Sequence, residues 1–334
     1  MDEVVNDNGF TDMRTMLKEC VRELNEKVRL ECLYGISSGF QPLDDIIGGF
    51  EKGRVYVIGG RPYMGKEELM LSMIRNIILE RNRPVLFFST NQMKSDYVQR
   101  LISIQCDIST WRLHHGALKT DEWERLYKRS SDLINALLYV HDSMDLPLNE
   151  LFGYAWKYIG EKKIEMIFID CLQMIDFAKE DNNTSEKLTK VMYSLKQLAR
   201  QAGIPIVVGS MLSRDVEYRE GIYGKQPQLT DLLDSSYIEE LADVIIMVHR
   251  PEYYEIYQDD HGRDLHRRIE IFVKKNALKP LGSFFLEYAQ ETGVLSLMTS
   301  SNTTASKPFK LEELKTDNEA VKKLIDTFGL EENY

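Results

Sequence analysis

The segment Gly60-Arg61-Pro62-Tyr63-Met64-Gly65-Lys66-Glu67 sets two glycines and a lysine between an apolar run at 55–58 and a stretch where Leu69, Met70, Met73, Ile74, Ile77 and Ile78 recur at helical period. A glycine turn between strand and helix aims several backbone N–H groups at one point, and the helix N-terminus adds positive potential. The spacing therefore predicts a phosphate-binding loop. Lys66 supplies a mobile cation for terminal phosphates, and Gly60, Arg61, Pro62, Met64, Gly65 and Lys66 are the candidate nucleotide-binding residues. The hydroxyl that ordinarily follows the lysine and ligates Mg²⁺ is replaced by Glu67.

The rest of the chain supplies the frame that such a loop needs. Apolar runs at 85–89, 164–170, 205–210, 244–249, 267–274 and 283–288 predict strands, with a short one near 138–140. Helical patterns at 95–105, 120–137, 147–160 and 183–203 fall between them. This alternation predicts an α/β fold, a mainly parallel sheet with helices on both faces. Residues 35–53, rich in glycine, predict a turn-rich lead-in to the first strand. The run Met166-Ile167-Phe168-Ile169-Asp170 ends in a carboxylate, which in phosphate-loop proteins orients Mg²⁺ or its water shell. Asp170 and Glu67 are thus the candidate metal ligands.

Upstream, Met13, Met16, Leu17, Cys20, Val21, Leu24 and Val28 predict an amphipathic helix that packs on its own domain or docks on a neighbouring subunit. Downstream, 300–306 predicts a linker and 311–328 an acidic terminal helix. The expected organisation is 1–34 as N-terminal segment and linker helix, 35–298 as the nucleotide-binding domain, and 299–334 as linker and tail.

With 334 residues, 43% of them hydrophobic, the chain can bury one large core. Its apolar runs fall far short of the ~18 residues of a membrane span, and Met1-Asp2-Glu3-Val4-Val5 carries no signal pattern, so a soluble, cytoplasmic protein is expected. Cys20, Cys32, Cys106 and Cys171 form no CxxC pair and the histidines no HExxH array, which predicts free thiols and no zinc site. A net charge of −11 excludes coating nucleic acid with the whole surface; contact must be local.

Several further motifs stand in one order: Ser38-Gly39-Phe40 with Leu43-Asp44 and Gly48-Gly49, then Arg61-Pro62 and Met64-Gly65-Lys66, then Val85-Leu86-Phe87-Phe88-Ser89. Gly116 with Trp123-Glu124-Arg125-Leu126, Ile169-Asp170-Cys171-Leu172-Gln173, Ser194 to Ala199, Asp231-Leu232 and Ile238-Glu239 with Ala242-Asp243 continue it. Over about residues 13–296 the chain resembles the motor domain of DnaB-type replicative DNA helicases. The resemblance implies a RecA-like P-loop NTPase fold, ATP and Mg²⁺ as cofactors, and a homo-oligomeric ring, usually a hexamer, or a filament. It also implies nucleotide between subunits, single-stranded DNA through the centre, and protein partners from DNA replication. The helix near 13–28 would be the linker helix docking on the adjacent subunit, and the family's separate N-terminal domain is expected to be absent.

Four departures from the family pattern bear on chemistry. Glu67 brings a negative charge to the phosphates, and at ~4 Å with an effective dielectric of ~20 such a pair repels by about 4 kcal/mol before screening. It would either bind Mg²⁺ itself or pair with Lys66 and favour an empty loop. Where the family carries the glutamate that polarises the attacking water, this chain has Asn91 or Gln92, depending on alignment, and an amide cannot accept a proton as a carboxylate does. The glutamine that senses the terminal phosphate is replaced by Met211, and the arginine finger falls on Ala277. Lys275 matches the neighbouring lysine that reaches across the subunit interface.

The resemblance places DNA contacts on the stretch after Ser213, where Arg214, Arg219 and Lys225 are the available cations beside Asp215, Glu217 and Glu220. A second loop, around 176–186, is mostly acidic. Such loops offer little phosphate neutralisation. The expected function is an ATP-binding, DNA-associated ring component of replication type with impaired hydrolysis, structural or regulatory in role. The alternatives are an active ATP-dependent DNA helicase with a rearranged catalytic site, and an assembly platform needing neither nucleotide nor DNA.

Overall fold

The computed structural model describes residues 35–298 except 145, 176–183, 234 and 278–279, together with 12–13, 15–18 and 21–22. The chain divides into two compact units, and the elements below belong to the larger, Gly35–Pro308. Its strands are β1 Val55–Gly60, β2 Val85–Ser89, β3 Leu138–Asp142, β4 Met166–Asp170, β5 Ile206–Met211, β6 Val244–His249, β7 Arg268–Asn276, β8 Gly282–Ala289 and β9 Val294–Leu297. They form one sheet in the order β3-β2-β4-β5-β1-β6-β7-β8-β9. Pairings from β3 through to β6 are parallel, and those among β6, β7, β8 and β9 are antiparallel.

Alternate residues of the central strands feed two cores. Tyr56, Ile58, Phe87 and Phe168 pack with Ile74 and Ile77 of the helix Lys66–Glu80, while Val55, Val57, Ile167 and Ile169 pack with Leu195 and Leu198 of the helix Thr184–Ala202. Strands buried on both faces read as continuous apolar runs, which is why β2 and β6 have the extents expected from the sequence. The helix expected over 120–137 ends at Ile134, and Leu138 already begins β3.

The lead-in is more ordered than its glycines suggest. Gln41–Ile47 is a helix, with Pro42 in its first turn, where a missing N–H costs nothing, and Gly48 at φ +74° closing it. Buried Asp44 accepts from the Ser37 hydroxyl (2.6 Å) and Ser38 N (2.9 Å). Ser38 O in turn accepts from Asn76 Nδ2 (3.1 Å) on Lys66–Glu80, so this motif braces the helix that follows the loop. Gly39 is required there, because a Cβ would lie 2.5 Å or less from Asn76 side-chain atoms. Other elements that periodicity does not signal are the helices Thr110–His115 and Ser235–Leu241 and the edge strand β9.

In the smaller unit, residues 13, 15–18 and 21–22 are helical, and the Asp12 carboxylate accepts from Thr15 N (3.1 Å) and its hydroxyl. Met13, Met16 and Leu17 are exposed. The remainder of the helix expected to 28 and the helix expected over 311–328 lie outside the described residues.

On the antiparallel flank, His249 of β6 and Glu270 of β7 face each other in register beside a cavity of about 60 Å³ lined also by Tyr223, Gln226 and Arg263. Burial pushes the Glu270 carboxyl up to about 7, partly offset by the Ser283 hydroxyl, Lys274 and Arg263. Its folded-state value exceeds the ordinary 4.5, so the stability it contributes is fully present below that pH and lost as pH rises through about 7. Glu270→Gln should therefore gain on the native protein by up to about 3 kcal/mol between pH ~5 and ~8. Thermal melts of both proteins across that range check it; a pH-independent difference would show that Glu270 does not titrate this way.

Candidate nucleotide-binding site

The parallel register brings three strand ends together. Gly60 of β1 lies opposite Met211 of β5, and Ile169 of β4 opposite Val208, so the loop, Asp170 and Met211 meet at the C-terminal edge, where α/β sheets bind ligands. The loop runs through Tyr63 at φ +67° and Gly65 at φ +92°. The left-handed backbone at Gly65 favours glycine, and a Cβ there would also lie 2.4 Å from Ile269 Cδ1, so that this methyl would have to move. Leu69 N donates to Gly65 O (2.9 Å), starting the helix Lys66–Glu80 directly behind the lysine.

Lys66 Nζ sits 2.7 Å from Asp170 Oδ1, with both side chains nearly buried. Burial, the largest single influence, would lower the lysine pKa, but Asp170, Cys171 and Glu67 together more than offset it and lift the ammonium to about 12. The other oxygen, Asp170 Oδ2, accepts from the Tyr97 hydroxyl (2.6 Å), and burial followed by that carboxylate drives the phenol far above its ordinary value. Thr90 fixes the turn after β4, its N and Oγ1 donating to Asp170 O (2.8 Å each) and its Oγ1 accepting from Cys171 N (2.7 Å).

Glu67 is not paired with Lys66, which corrects one of the two outcomes expected for it. Its carboxylate is held by the Arg100 guanidinium and accepts from Gln92 Nε2 (3.1 Å). Arg100, on the helix Lys94–Cys106, also lies 3.8 Å from Glu68. The reason is geometric: Lys66 is drawn to the buried Asp170, and Glu67 leaves the helix N-terminus toward the helix after β2. Burial pushes the Glu68 carboxyl up, opposed by Arg100.

The remaining expected residues divide. Arg61 turns to Glu217 (3.0 Å) and Leu212 O (3.1 Å), Met64 Sδ accepts from Arg250 N (3.4 Å), Pro62 is exposed, and Tyr63 stacks on Tyr253. Asn91 and Gln92 are half-buried after β2, and only Gln92 reaches Glu67. Met211 N donates to Gln173 Oε1 (3.0 Å), and Gln173 Nε2 donates to the Ser210 hydroxyl (2.9 Å). Ala277 follows β7 and donates its N–H to Asp243 O (3.1 Å). Lys275 donates to Glu239 O and Glu240 O, carbonyls at the end of its own chain's Ser235–Leu241 helix. Of the three expected DNA contacts, Arg219 is engaged by Asp231 (2.6 Å) and Gln226 O (3.1 Å), and Lys225 by Glu217 O (2.6 Å). Arg214 is exposed. Most of the loop expected around 176–186 lies outside the described residues.

Two carboxylates stand where Mg²⁺ would be held, and both are occupied by groups of this chain: Asp170 by Lys66 and Tyr97, Glu67 by Arg100 and Gln92. Among the described residues no group of three or more His, Cys, Asp and Glu is placed to hold a metal ion. As arranged, these residues do not fit a resident divalent cation. Tyr97 and Arg100 escape sequence reasoning; the available signal is their three-residue separation, which puts both on one helix face.

Loop, buried acidic strand end and sheet order define a RecA-like P-loop domain. The DnaB-like helicase C terminal domain family matches residues 35–295, and the chain belongs to that family. A probable replicative DNA helicase of Trieres chinensis is 31% identical over 290 residues, covering 86% of this chain and 62% of that protein. Replicative DNA helicase DnaB of Geobacillus stearothermophilus is 29% identical over 258 residues, covering 77% and 55%. The chain thus spans about three fifths of the relatives' length. Among solved structures, an isolated ATPase domain superposes with a TM-score of 0.76 at 23% identity, covering 84% of this chain and 98% of that one. A DnaB-like replicative helicase described with its interactions with primase gives 0.75 at 23%, covering 86% and 67%. Among the described residues no helix is long and apolar enough to cross a membrane.

Tyr97→Phe keeps the ring that packs edge-on against Phe87 (4.8 Å) and removes only the donor to Asp170. Urea unfolding should show a loss of about 1.5–3 kcal/mol, as for a hydrogen bond to a charged group; an unchanged midpoint would mean that water replaces the phenol.

Proposed function

We propose that this chain is a nucleotide-binding, DNA-associated component of a DnaB-type replication assembly in which ATP hydrolysis is impaired and the role is structural or regulatory. The observation that carries this reading is the Gln92–Glu67–Arg100 chain of contacts. At the end of β2, where a carboxylate would activate water, an amide is engaged with the residue that replaces the metal-ligating hydroxyl. Met211 and Ala277 remove a terminal-phosphate sensor and an arginine finger, and a finger alone is worth ~10³ or more in rate. The backbone frame of the loop and Lys66 remain, which supports binding without turnover.

An oligomer, ring or filament, is supported by exposed apolar side chains on one helix. Trp123, Tyr127 and Ile134 lie on one face of the helix Thr120–Ile134 and are exposed. DNA contact is the weaker component, because Arg219 and Lys225 serve the folding of their own segment. A replication protein partner is the regulatory component.

The test measures nucleotide binding and DNA-stimulated ATP hydrolysis for the native chain beside Lys66→Ala, with mass from light scattering. Expected are nucleotide binding that Lys66→Ala weakens by about tenfold or more, hydrolysis at background in both proteins, and a mass above the monomer. Hydrolysis that Lys66→Ala abolishes would overturn the impaired-hydrolysis reading in favour of an active motor; absence of both nucleotide and DNA binding would overturn it in favour of the assembly platform.

A further inference from the structure

We infer that Arg100 takes the place of the divalent cation at this loop, so that nucleotide phosphates bind here without Mg²⁺. The inference rests on the nucleotide-binding reading above and adds the ionic form of the ligand.

The charges at the loop form two sets. Lys66 and Asp170 make one pair, closed by the Tyr97 hydroxyl. In the second, the Arg100 guanidinium contacts Glu67 Oε2 and lies 3.8 Å from Glu68, with Gln92 Nε2 donating to the same Glu67 oxygen. Glu67 and Glu68 are the first residues after Lys66, at the N-terminus where a phosphate is cradled. Two carboxylates at that point, unneutralised, would repel the ligand.

An ordinary phosphate loop presents a neutral hydroxyl and leaves the compensating charge to a metal that arrives with the nucleotide. Here the chain brings two negative groups, Glu67 and Glu68, and one positive group, Arg100, that offsets the nearer of them. Arg100 is anchored in a regular helix, Lys94–Cys106, and its side chain is less than one-third exposed, so the cation is fixed in position. A guanidinium is always charged and presents several donors in a fork suited to carboxylate and phosphate oxygens alike. Once Glu67 is satisfied, its remaining donors can face an incoming phosphate. For Mg²⁺ to be held by Asp170 or by the engaged oxygen of Glu67, by contrast, a partly buried ion pair must first be broken, and the displaced Lys66 or Arg100 would then stand beside the metal as a like charge.

The full chain is titrated with a fluorescent ATP analogue in EDTA and again in excess Mg²⁺. Dissociation constants agreeing within about threefold are expected. Tightening by about tenfold or more in Mg²⁺ would overturn the inference while leaving nucleotide binding intact. Binding in neither buffer overturns the nucleotide reading, and this inference with it. Arg100→Ala should weaken binding in EDTA by about tenfold or more and make binding Mg²⁺-dependent, because Glu67 is then open to a metal. A circular dichroism melt of this variant separates the effect from unfolding. Arg100→Ala that melts like the native chain and binds equally well in EDTA would also overturn the assignment.

Discussion

The ion pair between Lys66 and Asp170 is the contact on which the arrangement of the larger unit's ligand edge depends. It joins the loop after β1 to the end of β4, with the Asp170 side chain almost wholly removed from water. Removing one partner of such a pair typically costs 3–5 kcal/mol, because the survivor is left charged and unpaired. The pair also dictates what its neighbour can be. A Cβ at Gly209 of β5 would lie 2.8 Å from Asp170 Oδ1 and 3.2 Å from Lys66 Nζ, so the third strand end must be glycine for the first two to meet. Tyr97 and Thr90 then hold the aspartate from the side of β2. Three strand ends and two loops converge on one carboxylate.

Around this centre, polar side chains at the sheet edge largely bind one another. Arg61 and Glu217 tie the segment after β5 to the loop, while Arg219 with Asp231 and Lys225 with Glu217 O brace that segment internally. Tyr254 adds its hydroxyl to Glu217 (3.2 Å). A segment tied down this densely is a fixed wall, and its charge is largely spent before any ligand arrives.

Legibility in the sequence followed the physical origin of each element. Central strands such as β2 and β6 are buried on both faces and announce themselves as unbroken apolar runs. The strand-loop-helix context of Gly60 to Lys66 was equally plain, because glycine spacing and the 3.6 period of Leu69 to Ile78 are local properties. The helix Gln41–Ile47 was hidden by the residues that build it, since Pro42 and Gly48 punctuate a short helix at both ends and mimic a loop. β9 is short, lies at the edge and is only partly buried. Within the site, Lys66, Glu67 and Asp170 were visible as residues, but Glu67's partner was not. Arg100 lies 33 positions away, and only the packing of the helix Lys94–Cys106 against Lys66–Glu80 brings it within reach. Pairing across that interval is a tertiary fact that no periodicity encodes.

The contact between Glu67 and Arg100 also constrains how the chain can change. Restoring a hydroxyl at position 67 alone would leave the Arg100 guanidinium with Glu68, 3.8 Å away, as its remaining carboxylate. Replacing Arg100 alone would leave two adjacent carboxylates at a helix start beside the loop. The two changes are therefore unequal: loss of the glutamate keeps one ion pair at the loop, whereas loss of the arginine leaves two negative charges unopposed there, so the arginine is the position that must persist as long as Glu67 does.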